Sequence, residues 1–161
     1  MIPRDLHDKL KAHVAAAITS REAAVDVMKA LQAHYGWLTD EAVDDAAEIL
    51  GLSPLQVEEL ATFYEMIYRR QVGRRVIHVC DSVSCWSLGA EGLMEHLQVT
   101  LDTLPGGTTA DGMFTLVPCS CLGNCGNGPT MMIGETLYGN ITPQSLRKIL
   151  ETEKQGLSDE D

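Results

Sequence analysis

The residues best placed to do chemistry are the cysteines. Two stand in Cys80-Asp81-Ser82-Val83-Ser84-Cys85, a C-x4-C spacing. Two more stand in Cys121-Leu122-Gly123-Asn124-Cys125, a C-x3-C spacing inside a glycine-rich loop over 118–129. Four thiolates supplied as two pairs suit a metal centre, and they read as the ligands of a two-iron, two-sulfide cluster, two to each iron. The fifth, Cys119, lies two residues before Cys121. It reads as non-ligating, with substitution for Cys121 as its alternative.

Other chemistries compete for the same thiols. A structural zinc site takes four thiolates in tetrahedral geometry, and these spacings do not exclude it. A dithiol–disulfide catalyst needs two cysteines close together at a helix start. Cys80 and Cys85 have the helix without the spacing. A Rieske centre replaces two cysteines with histidines, and His78, two residues before Cys80, reads as packed or surface instead. The loop glycines favour the cluster. A four-thiolate cluster is anionic and gains charge on reduction, so backbone N–H groups aimed at sulfur stabilise it. Gly123, Gly126 and Gly128 permit positive φ and close backbone approach. Ser82, Ser84 and Asn124 are expected to add side-chain donors, while Asp81 opposes the charge unless it faces solvent.

The elements that must position these groups divide at a basic, glycine-broken link, Arg69-Arg70-Gln71-Val72-Gly73-Arg74-Arg75. The expected domains are 1–72, helical, and 73–161, cysteine-bearing. In the first, apolar spacing predicts a helix over 3–18. Ser20 caps a second helix that Gly36 ends, and Thr39 or Asp40 caps a third that Gly51 ends. Ser53, Pro54 and Gln56 open a fourth with a capping box, running to about Tyr68. Phe63, Tyr64 and Met66 read as core packing, with a partner-facing surface as the alternative. The arginine link reads as a solvated linker that could also dock an acidic neighbour.

In the second domain, Val76 to Val79 form a buried strand ending at Cys80. Cys85 opens a helix through Leu97, whose N-terminus is expected to lower its thiol pKa. Gly89 and Gly92 weaken that helix by propensity. A strand over 114–117 runs into the second cysteine pair. Met131-Met132-Ile133 and Thr136-Leu137-Tyr138 form a hairpin, and Thr142-Pro143 start a last helix that frays after Gly156. A strand–helix–strand unit joined to an antiparallel hairpin gives a mixed sheet with packed helices. The fold class is α+β, an N-terminal helical bundle followed by a thioredoxin-like domain that lacks a C-x-x-C.

The formal net charge of −11 argues against a nucleic-acid binder, which would carry a basic stripe. No stretch approaches the length of a membrane span, and the first residues mix charge with short apolar steps, unlike a signal peptide. An intracellular, reducing location is expected, where cysteines serve metal or redox work.

As a set, C-D-S-x-x-C, F-T-L-x-P-x-x-C-L-G-N-C and G-P-x-M-M-I resemble the 24 kDa-type family of NADH:quinone oxidoreductase (respiratory complex I), the E subunits of the bacterial enzyme. Tyr35-Gly36-Trp37-Leu38, Gly51-Leu52-Ser53 and Ala61-Thr62-Phe63-Tyr64 extend the resemblance over nearly the whole chain. The family's cluster ligands fall on Cys80, Cys85, Cys121 and Cys125. The resemblance implies one [2Fe–2S] cluster in a thioredoxin-like domain, docked on a flavin-bearing subunit that holds FMN and oxidises NADH. It places the chain on the cytoplasmic, peripheral arm of a membrane-bound complex. This chain has no G-x-G-x-x-G and no P-loop, so on its own it is expected to oxidise no NADH. The alternatives are the same module in a soluble NAD-linked hydrogenase or formate dehydrogenase, a zinc-stabilised interaction module, and a thiol–disulfide enzyme.

Overall fold

Four short helices open the chain, and local signals place four of their boundaries. The computed structural model describes residues 2–159, with side chains as far as Gly156. It divides into two compact units, Met1–Gln71 and Val72–Asp161. The first holds α1 (Arg4–Ala16), α2 (Ala24–Tyr35), α3 (Asp40–Leu50) and α4 (Pro54–Phe63). Gly36 and Gly51 end α2 and α3 in the left-handed conformation, which costs glycine no Cβ clash. The Thr39 hydroxyl accepts from Ala42 N–H at the start of α3. Ser53 and Gln56 close a reciprocal capping box at α4. Val27, Met28, Leu31, Ala46 and Val57 are fully buried in the core between the helices.

Two expectations for this unit fail for identifiable reasons. The second helix begins at Ala24, not after Ser20, because residues 17–23 are taken up by a turn. Thr19 accepts from Glu22 N–H, and the Glu22 carboxylate accepts from Ile18 N–H, so those groups satisfy each other outside a helix. The fourth helix stops at Phe63, with Tyr64 extended. The chain then folds back along α2, where the Gln32 amide holds it at both ends, donating to Met66 O and accepting from Tyr68 N–H. Phe63 and Tyr64 consequently do not pack in the core. Phe63 is 76 % exposed, and Ile67 is the buried side chain of this strap.

Arg69 is more than a linker cation. Its guanidinium donates to Glu58 at 2.7 Å, to Asp40 at 2.8 Å and to the Leu38 carbonyl. That fork ties the end of the unit to α3, α4 and the loop between α2 and α3. Removing it leaves a carbonyl and a half-buried carboxylate without their charged donor.

The second unit runs β1 (Arg75–Cys80), α5 (Val83–Ser87), α6 (Ala90–Leu101), β2 (Phe114–Cys119), β3 (Met131–Ile133), β4 (Thr136–Tyr138) and α7 (Pro143–Asp159). Among the described residues it forms a four-stranded sheet in the order β2-β1-β3-β4. β1 is parallel to β2 and antiparallel to β3, and β3 is antiparallel to β4. The sheet is mixed and helices pack on it, as expected. Ile77, Leu97, Phe114, Leu116, Met131 and Leu146 are fully buried in one core. The expected single helix after Cys85 is two, because Gly89 adopts φ +98° and serves as the N-cap of α6. Thr142 and Ser145 cap each other reciprocally at α7. That helix continues through Gly156 to Asp159, so the expected fraying does not begin at Gly156. The last two residues of the expected tail lie outside the described residues.

Arg69→Ala is expected to lower the stability of the helical unit by about 1–2 kcal/mol. Urea unfolding followed by far-UV circular dichroism measures it. A loss below about 0.5 kcal/mol would show that the fork is a surface ornament.

Candidate metal centre

Parallel pairing of β1 and β2 brings two chain segments to one end of the sheet. Cys80 ends β1, and Cys119 stands beside it in register at the end of β2. From those two strand ends the chain leads into α5, which carries Cys85, and into the loop that carries Cys121 and Cys125. Cys125 begins a 3-10 turn over Cys125–Asn127. Cys80 and Cys85 are buried, whereas Cys121 and Cys125 are exposed.

The four thiols gather as two pairs. Cys121 Sγ lies 3.4 Å from Cys125 Sγ, and the Cys80 and Cys85 thiols share a hydrogen bond. Donors are aimed at these sulfurs from several directions. Leu122 N–H and Ser82 N–H point at Cys80, and Gly123 N–H lies 3.4 Å from Cys121 Sγ. Ser82 Oγ is 3.2 Å from Cys80 Sγ and also reaches Cys121, so one hydroxyl links the two pairs. Ser84 reaches Cys125. Among the described residues, no three His, Cys, Asp or Glu side chains group around a single ion position.

Each pair is electrostatically uneven. Burial works to raise the Cys80 thiol, but Ser82, Leu122 N–H and Cys85 together hold it below the usual thiol range. Burial, then the adjoining Cys80, push Cys85 up. Gly123 N–H, then Cys125 and Ser82, hold Cys121 low, and the bond to Cys121 pushes Cys125 up. In each pair the contact between the sulfurs holds one thiol below the usual range and its neighbour above it, and a bound metal ion would displace the protons of both. The expectation that a helix N-terminus lowers the Cys85 pKa is overturned, since burial dominates in a five-residue helix.

The loop departs from expectation in detail. Gly123 has φ +78°, as its role requires. Gly128 approaches Leu88 closely, since a Cβ there would lie 2.8 Å from Leu88 Cδ1, a terminal methyl free to turn aside. Gly126 meets neither condition. Asn124 does not donate to a sulfur. It donates to Thr130 Oγ1 and accepts from the Asn127 amide. Asn127 in turn accepts at its carbonyl from Asn140 N–H, so the cysteine loop is pinned to the turn after β4. Asp81 is exposed and His78 is buried, the first facing solvent and the second packed within β1.

Thr130 is a functional residue that sequence reasoning misses. It is fully buried, and its carbonyl accepts from Cys80 N–H at 3.1 Å. Its N–H and its hydroxyl lie within reach of the Cys85 sulfur, and the hydroxyl donates to the Asn127 carbonyl at 3.4 Å. One residue thus touches the strand end, the inner thiol and the outer loop. The available signal is a single hydroxyl residue between Pro129 and the apolar run of β3.

Two mutually close thiol pairs, ringed by N–H and O–H donors and half open to solvent, fit a dinuclear, anionic cluster. Residues 9–154 match the family described as thioredoxin-like [2Fe-2S] ferredoxin. The E subunit of the NADH-quinone oxidoreductase of Escherichia coli (strain K12) is 44% identical over 134 residues, 83% of this chain and 81% of that protein. The corresponding E subunit of Pseudomonas aeruginosa is 42% identical over 131 residues, 81% of this chain and 79% of that protein. Among solved structures, an air-oxidised NAD+-reducing [NiFe]-hydrogenase superposes with a TM-score of 0.68 at 22% identity. That likeness, in fold alone, covers 81% of this chain and 23% of the hydrogenase chain. By the span of the family match and its identity to these E subunits, the chain belongs to the thioredoxin-like [2Fe–2S] ferredoxin family.

Proposed function

We propose that this chain is the electron-transfer E subunit of an NADH-quinone oxidoreductase, holding one [2Fe–2S] cluster on Cys80, Cys85, Cys121 and Cys125. The carrying observation is the gathering of four thiols as two pairs under convergent donors. The 44% identity to E subunits supports the host complex. When bound, the cluster supplies one-electron storage beside a flavin that receives electrons from NADH in pairs. That flavin, FMN, and the NADH site belong to a partner subunit, which docks on this chain.

The residues of this chain have three tasks. The inner pair, Cys80 and Cys85, anchors the centre in the fold, and the exposed outer pair, Cys121 and Cys125, brings it to the surface. Leu122 N–H, Gly123 N–H, Ser82, Ser84 and Thr130 stabilise negative charge on the sulfurs, which favours the reduced form. The chain beyond residue 72 forms the cluster domain, and the helical domain before it serves assembly. Among the described residues no helix is long and apolar enough to cross a membrane. The chain sits on the cytoplasmic arm of its complex, held there by partner subunits. The hydrogenase likeness keeps a second host in view, a soluble NAD-linked hydrogenase, but its identity of 22% is half that of the quinone-reducing relatives.

Cys→Ala variants separate the ligand set. Cys80→Ala, Cys85→Ala, Cys121→Ala and Cys125→Ala are each expected to lose most bound iron and the visible absorption. Cys119→Ala keeps both. Full iron in Cys125→Ala, or its loss in Cys119→Ala, contradicts the assignment.

Thr130→Val keeps the shape and removes the hydroxyl that lies between the Cys85 sulfur and the Asn127 carbonyl. A neutral hydrogen bond contributes about 1 kcal/mol, which for one electron corresponds to a potential lower by on the order of 40 mV. An EPR-monitored redox titration reads it, with Thr130→Ser expected to restore the wild-type value. An unchanged potential in a folded Thr130→Val protein refutes the role.

A further inference from the structure

Beside the inner cysteines, a cleft of about 370 Å³ opens between the end of β1, α5 and α6. Trp86 and Met94 form walls, Asp81, Glu91 and Glu95 contribute carboxylates, and Cys80 lines the same cleft. Trp86 is 61 % exposed although it is the residue next to a buried cysteine. Asp81, Glu91 and Glu95 are all exposed. The sequence from Val76 to Leu146 contains no Lys or Arg, yet it carries Asp81, Glu91, Glu95, Asp102, Asp111 and Glu135. The stretch that carries the metal centre thus holds acidic side chains and no Lys or Arg of its own, and three of those carboxylate residues line the cleft.

This combination is selective in physical terms. An indole face attracts a guanidinium or ammonium group through its ring quadrupole. Carboxylates at the rim add charge-assisted hydrogen bonds to the same group. The apolar walls match the aliphatic stem of a long cationic side chain. A free anion is repelled, and a neutral apolar ligand leaves three carboxylates partly desolvated without a counter-charge. We propose that the cleft seats an arginine or lysine side chain presented by the flavin-bearing partner subunit. This rests on the function proposed above, and it names the anchor by which that partner docks. The seated cation lies against Cys80, so it favours the more negative, reduced state of the centre. Docking therefore raises the reduction potential as well as orienting the two proteins. A rim of one sign also steers a basic partner at low ionic strength.

The test is isothermal titration of the cluster-loaded full chain with the purified flavin-bearing subunit, at low and high salt. Three variants are compared with wild type, namely Glu91→Gln with Glu95→Gln, Trp86→Ala, and Asp102→Asn with Glu135→Gln as an equal loss of charge outside the cleft. Far-UV circular dichroism and visible absorption confirm that each is folded and loaded. If Trp86→Ala loses its cluster, the glutamine pair decides. Wild-type affinity is expected to fall with salt. The glutamine pair should bind about tenfold more weakly with a flatter salt dependence, and the control within about twofold of wild type. The potential should rise on binding in wild type and rise less in the glutamine pair. Equal binding by all proteins, or an equal loss in the control, overturns the cleft and leaves the proposed function standing. Absence of wild-type binding to the flavin-bearing subunit overturns both.

Discussion

The structure depends on crowding four ionisable sulfurs at one end of a sheet. Like charges that close are unfavourable, and burial of Cys80 and Cys85 makes each charge costlier. The chain offsets this without a single Lys or Arg between Val76 and Leu146. Its answer is dipoles. The amides of Leu122 and Gly123, the hydroxyls of Ser82 and Ser84, and both donors of Thr130 converge on the sulfurs. Dipoles stabilise negative charge without cancelling it, so the site retains the capacity to take another electron. A neutralising lysine at the same place would fix the net charge and the potential within the chain itself. Leaving the charge uncompensated places that control with whatever binds the surface.

Holding the dipoles still is the work of the surrounding fold. The parallel β1–β2 pair sets the two strand ends side by side, and Gly128 lets the returning chain press against Cys85 and Leu88. The asparagines Asn124, Asn127 and Asn140 then lock the outer loop to the turn after β4. Gly139 is part of that lock, since a Cβ there would lie 2.7 Å from the Asn127 carbonyl. The hydrogen bonds are individually modest, but together they hold the loop that carries the sulfur-directed N–H groups, and preorganised donors stabilise charge without reorganising when it arrives.

Much of this is legible in the sequence where the signal is local. The capping box at Ser53 and Gln56, the stops at Gly36 and Gly51, and the hairpin of Met131-Met132-Ile133 with Thr136-Leu137-Tyr138 each follow from chemistry close by in the chain. The cysteine spacings likewise reveal two pairs. What escapes is set by neighbours far along the chain. Phe63 and Tyr64 read as core because they are large and apolar, yet the chain turns away at Tyr64 and Ile67 fills the place. Arg69 reads as a solvated linker because nothing nearby in sequence announces Glu58, Asp40 and the Leu38 carbonyl. Gly89 reads as a weak point in one helix and is the boundary of two. Cys85 looks acidic from its helix end, and its burial against Cys80 reverses the sign. Asn124 reads in the sequence as a donor to sulfur, but its target is the Thr130 hydroxyl.

The central claim is that the paired thiols hold two irons and two sulfides and exchange one electron. Iron and acid-labile sulfide analysis of anaerobically purified protein, with EPR before and after dithionite, tests it most directly. The account predicts two of each per chain and a paramagnetic signal that appears only on reduction. A colourless protein carrying stoichiometric zinc, even after iron–sulfide reconstitution, would contradict it.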